Sequence, residues 1–209
     1  KPAGLAVHGG SGVRLGLIEA LRQMYPKSPF MELVHRLDRD TSGAILVARK
    51  RSVLLHVQSE LRNGKLGKSY LALAAGKWPR GQKLVEAPLK KNTLKSGERM
   101  VVVDGEGKPS TTRFQVEERF QGATLVAAEP VTGRTHQIRV HAQFVGCPLA
   151  GDAKYATDEI NGAFREQGLR RLFLHSAGVR CTLPDGTKVD VRAPLPPELE
   201  SVLANLRRR

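Results

Sequence analysis

Cysteine is scarce. The chain has two in 209 residues, Cys147 and Cys181, far apart and without a Cys-x-x-Cys neighbour. That pattern excludes a disulfide scaffold and a zinc ribbon. It fits a reduced, cytosolic protein whose thiols are small core side chains. Long apolar runs are missing too. None approaches the roughly eighteen residues that a membrane span needs. No basic amphipathic helix carries exposed aromatics, and the first residues do not read as a signal peptide. Nucleotide-cofactor signatures are also lacking. Gly10-Ser11-Gly12-Val13-Arg14-Leu15-Gly16 is one residue too long for the dinucleotide fingerprint, and no Gly-Lys-Ser/Thr follows it. His136 and His141 are not the i, i+4 pair of a zincin, which argues against metal ligation. Acidic residues are few: 20 Asp plus Glu stand against 34 Lys plus Arg, for a formal charge of +14 and a pI near 10.3. Such an excess points to a polyanionic partner, nucleic acid above all.

What is present suits a globular protein. A hydrophobic fraction of 40% supports one large domain or two small ones. The spacing predicts a helix over Arg14–Tyr25, with Leu17, Ile18, Leu21 and Tyr25 on one face and Pro26 as its stop. A second helix is capped by Ser52, carries Leu54, Val57 and Leu61, and ends at Gly64. A third spans Thr135–Val145, and a last one opens at Pro196-Pro197-Glu198, with Arg207 to Arg209 favouring its C-terminal dipole. Strands are predicted over Lys68–Ala75, Arg99–Val103, Thr111–Phe120, Ala123–Glu129, Leu172–Val179 and Lys188–Ala193, the last two joined by Pro184-Asp185-Gly186. The segment from Gly76 to Gly97 is basic and turn-rich, with Lys77, Arg80, Lys83, Lys90, Lys91, Lys95 and the only tryptophan, Trp78. It reads as a solvated loop or as one that follows a nucleic-acid backbone. Strands mixed with helices argue for an α+β fold with a mixed, mostly antiparallel sheet.

The stretch with the most chemistry is His35-Arg36-Leu37-Asp38-Arg39-Asp40-Thr41-Ser42-Gly43. Two short apolar runs, Met31–Val34 and Ala44–Ala48, flank it as buried strands. A charged loop between strands is usually a solvated turn with weak ion pairs. Asp38 to Gly43 imitates the first six positions of a calcium loop, but the twelfth position is Arg49 where a bidentate Glu is required, so calcium is set aside.

This nine-residue stretch resembles the signature of the RNA pseudouridine synthases of the large-subunit and tRNA "synthase A" family. Lys1-Pro2-Ala3-Gly4-Leu5, Lys68-Ser69-Tyr70 and Gly133-Arg134-Thr135-His136-Gln137-Ile138-Arg139 resemble further family motifs, and the likeness covers nearly the whole chain. It implies the pseudouridine synthase fold, with helices and loops flanking the sheet and a cleft across it. Residues 1–209 would form the catalytic domain, preceded in the full protein by a small RNA-binding domain of the type found in ribosomal protein S-four. The implied reaction turns uridine into pseudouridine and needs no cofactor and no metal. Asp38 would be the catalytic aspartate and Arg134 the arginine that pairs with it. Tyr70 would stack on the base and take part in proton removal. Ile138 would pack against the pocket, and Arg36 would hold the base out of the helix. His35, Arg39, Thr41 and His136 would support the loop or touch RNA. His8, His56 and His175 read as structural. The implied partner is large-subunit (23S) ribosomal RNA or a pre-ribosomal particle, met by a cytoplasmic monomer with no nucleotide and no membrane. The same chemistry on tRNA is the alternative substrate, and a silent RNA-binding module the alternative function.

Overall fold

In the computed structural model, which describes residues 1–10, 15–93 and 99–208, the runs on either side of His35–Gly43 pair with each other. The expected helix start at Arg14, Ser11 to Val13 of the glycine-rich turn, Lys95, Gly97 and Arg209 lie outside the described residues. The elements in chain order are α1 (Leu17–Met24), β1 (Glu32–Leu33), β2 (Ser42–Gly43), β3 (Val47–Ala48), α2 (Arg51–Arg62) and β4 (Gly67–Ala75). There follow β5 (Leu84–Glu86), β6 (Leu89–Thr93), β7 (Arg99–Val103), β8 (Thr111–Phe120) and β9 (Ala123–Pro130). The chain closes with α3 (Gln137–Phe144), α4 (Asp158–Glu166), β10 (Leu174–Thr182), β11 (Lys188–Arg192) and α5 (Pro197–Arg207). Two compact units result: Lys1–Ser69 with His175–Pro194, and Tyr70–Leu174 with Leu195–Arg209.

In the first unit β1 and β3 are antiparallel, with Leu33 opposite Val47. β10 and β11 form an antiparallel hairpin from Gly178–Arg192 to Thr182–Lys188. Its turn is the predicted one: Gly186 takes φ +84°, a conformation glycine adopts without cost, and the Asp185 carboxylate accepts the Thr187 N–H at 3.0 Å. β2 runs parallel to β10, with Ser42 opposite His175 and Gly43 opposite Ser176. The apolar face of α2 (Val53, Leu54, Val57 and Leu61) closes a core over Val34, Ala48, Leu66, Val179 and Cys181. Ser52 does not cap this helix. The N-cap position is Lys50, which makes no capping bond, and the helix begins at Arg51.

In the second unit β4, β9, β8 and β5 are successive antiparallel neighbours. The register places Tyr70 opposite Ala128 and Ala75 opposite Ala123. α4 and α5 cover this sheet, and Phe164, Leu199, Val202, Leu203 and Leu206 meet Leu73, Leu125 and Phe173. Each such fully buried side chain contributes about 1.5–3 kcal/mol. The segment read as a basic loop is more ordered than expected. It holds β5 and β6, and β6 pairs with β7 in a separate two-stranded ribbon. Trp78 is not a surface contact. It is 2% exposed, stacks at a tilt on Phe114 with centroids 4.6 Å apart, and donates its indole N–H to the Gln82 carbonyl at 2.9 Å. The helix α4 is an addition to the elements expected from the sequence. Thr157 caps it by accepting the Ile160 N–H at 3.3 Å, and Asp158 and Glu159 occupy its acidic first turn. The mixed, mostly antiparallel sheet of an α+β fold is as the sequence implied.

Candidate active site

The first unit supplies the Asp38 loop. Exposure alternates along it: Arg36 and Arg39 face solvent, Leu37 and Thr41 are buried, and Asp38 and Asp40 are half-buried. The Asp38 carbonyl accepts the Thr41 N–H at 3.2 Å, which closes a turn. Among the described residues the Arg39 guanidinium pairs with its neighbour Asp40, at 3.2 Å and largely exposed, a pairing that contributes little.

The ends of the loop are held more firmly. Gly43 has φ +113°, and a Cβ at that position would collide with the Ser176 carbonyl of β10. Glycine is therefore dictated by the close passage of a second backbone. The Gly43 N–H donates to the Lys1 carbonyl at 2.9 Å, and the Ala44 N–H donates to the Ser176 carbonyl at 2.9 Å. Lys1 also places its Nζ on the Arg39 carbonyl at 2.7 Å. Next to Gly43, the Ser42 hydroxyl lies 2.8 Å from His175 Nδ1, and His175 Nε2 lies 3.2 Å from the Ala193 carbonyl. A carbonyl can only accept, so Nε2 donates, and in the neutral ring Nδ1 receives the Ser42 proton. His35 sits at the other end of the loop, buried, with Nε2 accepting the Leu46 N–H at 3.2 Å. Burial first, and the Lys68 charge second, push its pKa down to about 4, so the ring is neutral. Burial also lowers the Lys68 ammonium.

The second unit supplies the remaining candidates. Tyr70 is buried on β4. Arg134 lies in the turn before α3, exposed, with Nε donating to the Pro109 carbonyl at 3.2 Å. Ile138 is buried in the first turn of α3. His136 is the one non-glycine residue among those described with positive φ, +52°. Its Nδ1 lies 2.8 Å from the Tyr155 hydroxyl, which also accepts the Val101 N–H at 3.0 Å. Arg139 is paired through two nitrogens with Asp152, at 2.7 and 2.8 Å. Its guanidinium lies 5.0 Å from the Tyr155 ring centroid. The Asp152 carboxylate also accepts the Lys154 and Tyr155 N–H groups.

The structure thus gathers His35, Arg36, Asp38, Arg39 and Thr41 in one loop of the first unit. It gathers Arg134, His136 and Ile138 at the start of α3 in the second, with Tyr70 on β4. Residues that sequence reasoning did not single out do much of the holding. Ser42, Gln137 and Arg139 lay inside the motifs already noted. Asp152 and Tyr155 carried no local signal, because their partners are distant in sequence. Among the described residues no group of His, Cys, Asp and Glu is arranged to hold a metal ion. No described helix is long and apolar enough to cross a membrane.

A family model for RNA pseudouridylate synthase matches residues 1–144. The chain belongs to the RNA pseudouridylate synthase family. As a member of it, the chain is 54% identical over 208 residues to "Ribosomal large subunit pseudouridine synthase C" of Pasteurella multocida, covering 99% of this chain and 64% of the relative. It is 53% identical over 210 residues to the protein of the same name from Escherichia coli, covering 99% and 66%. The chain therefore spans a little under two thirds of the curated relatives it matches. Two solved human structures share the fold. RNA Pseudouridylate Synthase Domain Containing 4 matches at 27% identity and a TM-score of 0.78, over 99% of this chain and 88% of its own. RNA Pseudouridylate Synthase Domain Containing 1 matches at 27% and 0.74, over 91% and 78%. The α+β architecture with its mixed sheet is the pseudouridine synthase fold.

Proposed function

We propose that this pseudouridylate synthase family member isomerises specific uridines of large-subunit ribosomal RNA to pseudouridine, as a monomer in the cytoplasm. The observation that carries the reading is Asp38: a half-buried carboxylate in a loop that Gly43 and Ser42 pin to β10, inside a chain matched by the family model. The names of the relatives supply the choice of large-subunit RNA.

The reaction breaks the bond from N1 of uracil to the anomeric carbon, turns the base, and joins C5 to the same carbon. The proton on C5 is lost and N1 gains one, so atoms balance without water, redox partner or metal. Asp38 acts at the sugar, either as a nucleophile on the anomeric carbon or as a base that takes the proton from the neighbouring ribose carbon. A stacked base is out of reach, so the uridine is flipped. Exposed Arg36 is suited to holding its place. The family resemblance implies that Arg134 is the partner of Asp38, and a planar guanidinium is suited to orienting a carboxylate. Tyr70 stacks on the base, with Ile138 packed beside it and Thr41 inside the loop. His35, Arg39 and His136 support the site or touch RNA.

The test is release of tritium from RNA labelled at C5 of uridine, with ribosomal and transfer RNA in parallel. Ribosomal RNA should be the substrate. Turnover on transfer RNA alone would move the assignment, and none on either would leave an RNA-binding module. Asp38→Asn should abolish release beyond the roughly 10²–10³-fold loss of a single electrostatic donor. Asp40→Asn, with the same charge change two residues on, should keep partial activity. Turnover by well-folded Asp38→Asn sinks the catalytic role.

A further inference from the structure

The Arg134 guanidinium is exposed and, among the described residues, tethered by one hydrogen bond, to the Pro109 carbonyl. A long, solvated side chain with one tether keeps a working geometry only if its backbone is fixed. The Arg134 carbonyl accepts the Gln137 backbone N–H at 3.2 Å, and the Arg134 N–H is held by a buried side-chain amide. Gln137, 3% exposed, has four hydrogen-bonding positions, and all four are used. Its Oε1 accepts the Arg134 N–H at 3.0 Å and the Thr132 hydroxyl at 2.6 Å. Its Nε2 donates to the Thr111 carbonyl at 2.9 Å and to the Thr112 hydroxyl at 3.0 Å. The orientation of the amide follows, because a carbonyl and an N–H cannot exchange places.

A second buried side chain sets the sense of the remaining bond. His141 is fully buried, with Nε2 3.1 Å from the Ala87 carbonyl and Nδ1 2.8 Å from the Thr112 hydroxyl. Nε2 must donate to the carbonyl, so in the neutral ring Nδ1 accepts the Thr112 proton. The Thr112 oxygen is then left to accept from Gln137. Ser110 completes the cluster, 3.1 Å from His141 Nε2. One directed chain therefore runs from Ala87 through His141, Thr112 and Gln137 to the backbone of Arg134.

We propose that Gln137 is the positioning residue of Arg134, with His141 holding Thr112 in the sense that Gln137 requires. The amide does not touch RNA. It clamps the turn from Thr132 to Gln137 onto the start of β8, so that Arg134 is presented at a fixed point. This rests on the role given to Arg134 above. It also explains why a glutamine stands here: an apolar side chain would take a partner from four polar groups, the Arg134 N–H among them, and a glutamate would set an acceptor against the Thr111 carbonyl.

The experiment uses the 209-residue chain with Gln137→Met, which keeps length and bulk and removes all four bonds, and Thr112→Val, which removes the hydroxyl that joins His141 to Gln137 and leaves the other three Gln137 bonds. Amide hydrogen exchange and tritium release are measured well below the melting temperature. In Gln137→Met the Arg134 amide should exchange at least tenfold faster. kcat should fall at least tenfold, with KM for ribosomal RNA within twofold of wild type. Thr112→Val should give a smaller fall in kcat with the same unchanged KM. A purely structural role would lower the folded fraction and leave the kcat of folded protein alone. A folded Gln137→Met with wild-type kcat, or with Arg134 exchange unchanged, overturns the proposal. If Gln137→Met does not fold, a wild-type kcat in Thr112→Val overturns it. If the wild-type chain releases no tritium, the reading of function fails, and the exchange of the Arg134 amide still decides whether Gln137 holds the turn.

Discussion

His35 and His175 are both buried imidazoles at the base of the Asp38 loop, and each accepts on one nitrogen. His175 has a partner at both ends, Ser42 and Ala193, and so ties β2 to β10. His35 spends Nε2 on the Leu46 N–H, so protonation would break that bond as well as charge a buried ring. The pKa of about 4 against an ordinary 6.5 makes this a statement about stability. The unfolded chain binds a proton near pH 6.5 that the folded chain refuses until about pH 4. Stability is therefore full above 6.5 and declines as pH falls through that window, with the unfolded state taking up the proton. A shift of this size corresponds to about 3 kcal/mol by pH 4. Burial pushes His141 in the same direction. Urea unfolding of wild type should weaken from pH 7 to pH 4.5. His35→Gln, whose amide oxygen still accepts from Leu46, should flatten that dependence. An equal slope in the variant would assign the acid sensitivity to other groups.

At the scale of elements, α3 shows what sequence periodicity reaches and where it stops. Ile138 and His141 marked a helix over Thr135–Val145, and the helix is there, but it starts at Gln137 because His136 is left-handed. Nothing in a spacing rule announces a histidine in a region that costs a non-glycine residue roughly 1–2 kcal/mol. The long strands were legible for other reasons: along β8 side chains two apart share the more buried face, and β9 is a short, mostly apolar run whose first four residues are all buried. β5 and β6 were not, since β5 has three residues and β6 buries only Leu89, leaving Lys90, Lys91, Asn92 and Thr93 exposed. α4 was hidden by Asn161 and Gly162, poor helix formers in mid-helix. Asn161 is there for tertiary bonds to Gly151 and Asp152. In the candidate site the Asp38 loop was legible as a motif, whereas the Arg139–Asp152 pair was not, because the fold brings its two halves together. The left-handed His136 yields a prediction. His136→Gly relieves the backbone cost and loses the Tyr155 bond, so these opposing effects should leave the melting temperature near wild type or slightly higher. If the strain is retained for RNA, turnover should still fall several-fold. A variant of equal stability and full turnover would leave His136 as a helix cap only.

At the scale of the whole molecule, the excess of 34 basic over 20 acidic residues is not neutralised within the fold. Ion pairs such as Lys90 with Glu106 and Arg207 with Glu118 lie at the surface, where pairing is weak and screened. Among the described residues Arg139–Asp152 is a nearly dry pair, and removing one partner there would cost about 3–5 kcal/mol. The remaining charge is available to a polyanion. Phosphate contacts release counterions, so log Kd for RNA should rise linearly with log salt. For about 6–10 contacts the loss between 50 and 200 mM salt is on the order of 10³–10⁵. Asp38→Asn removes chemistry and one negative charge, so it should bind at least as tightly as wild type and with the same slope. That separates binding from turnover in one variant: affinity unchanged, tritium release lost. Affinity independent of salt would show that the basic excess serves something other than RNA. A steep slope with weakened binding by Asp38→Asn would place the carboxylate in recognition instead of at the sugar.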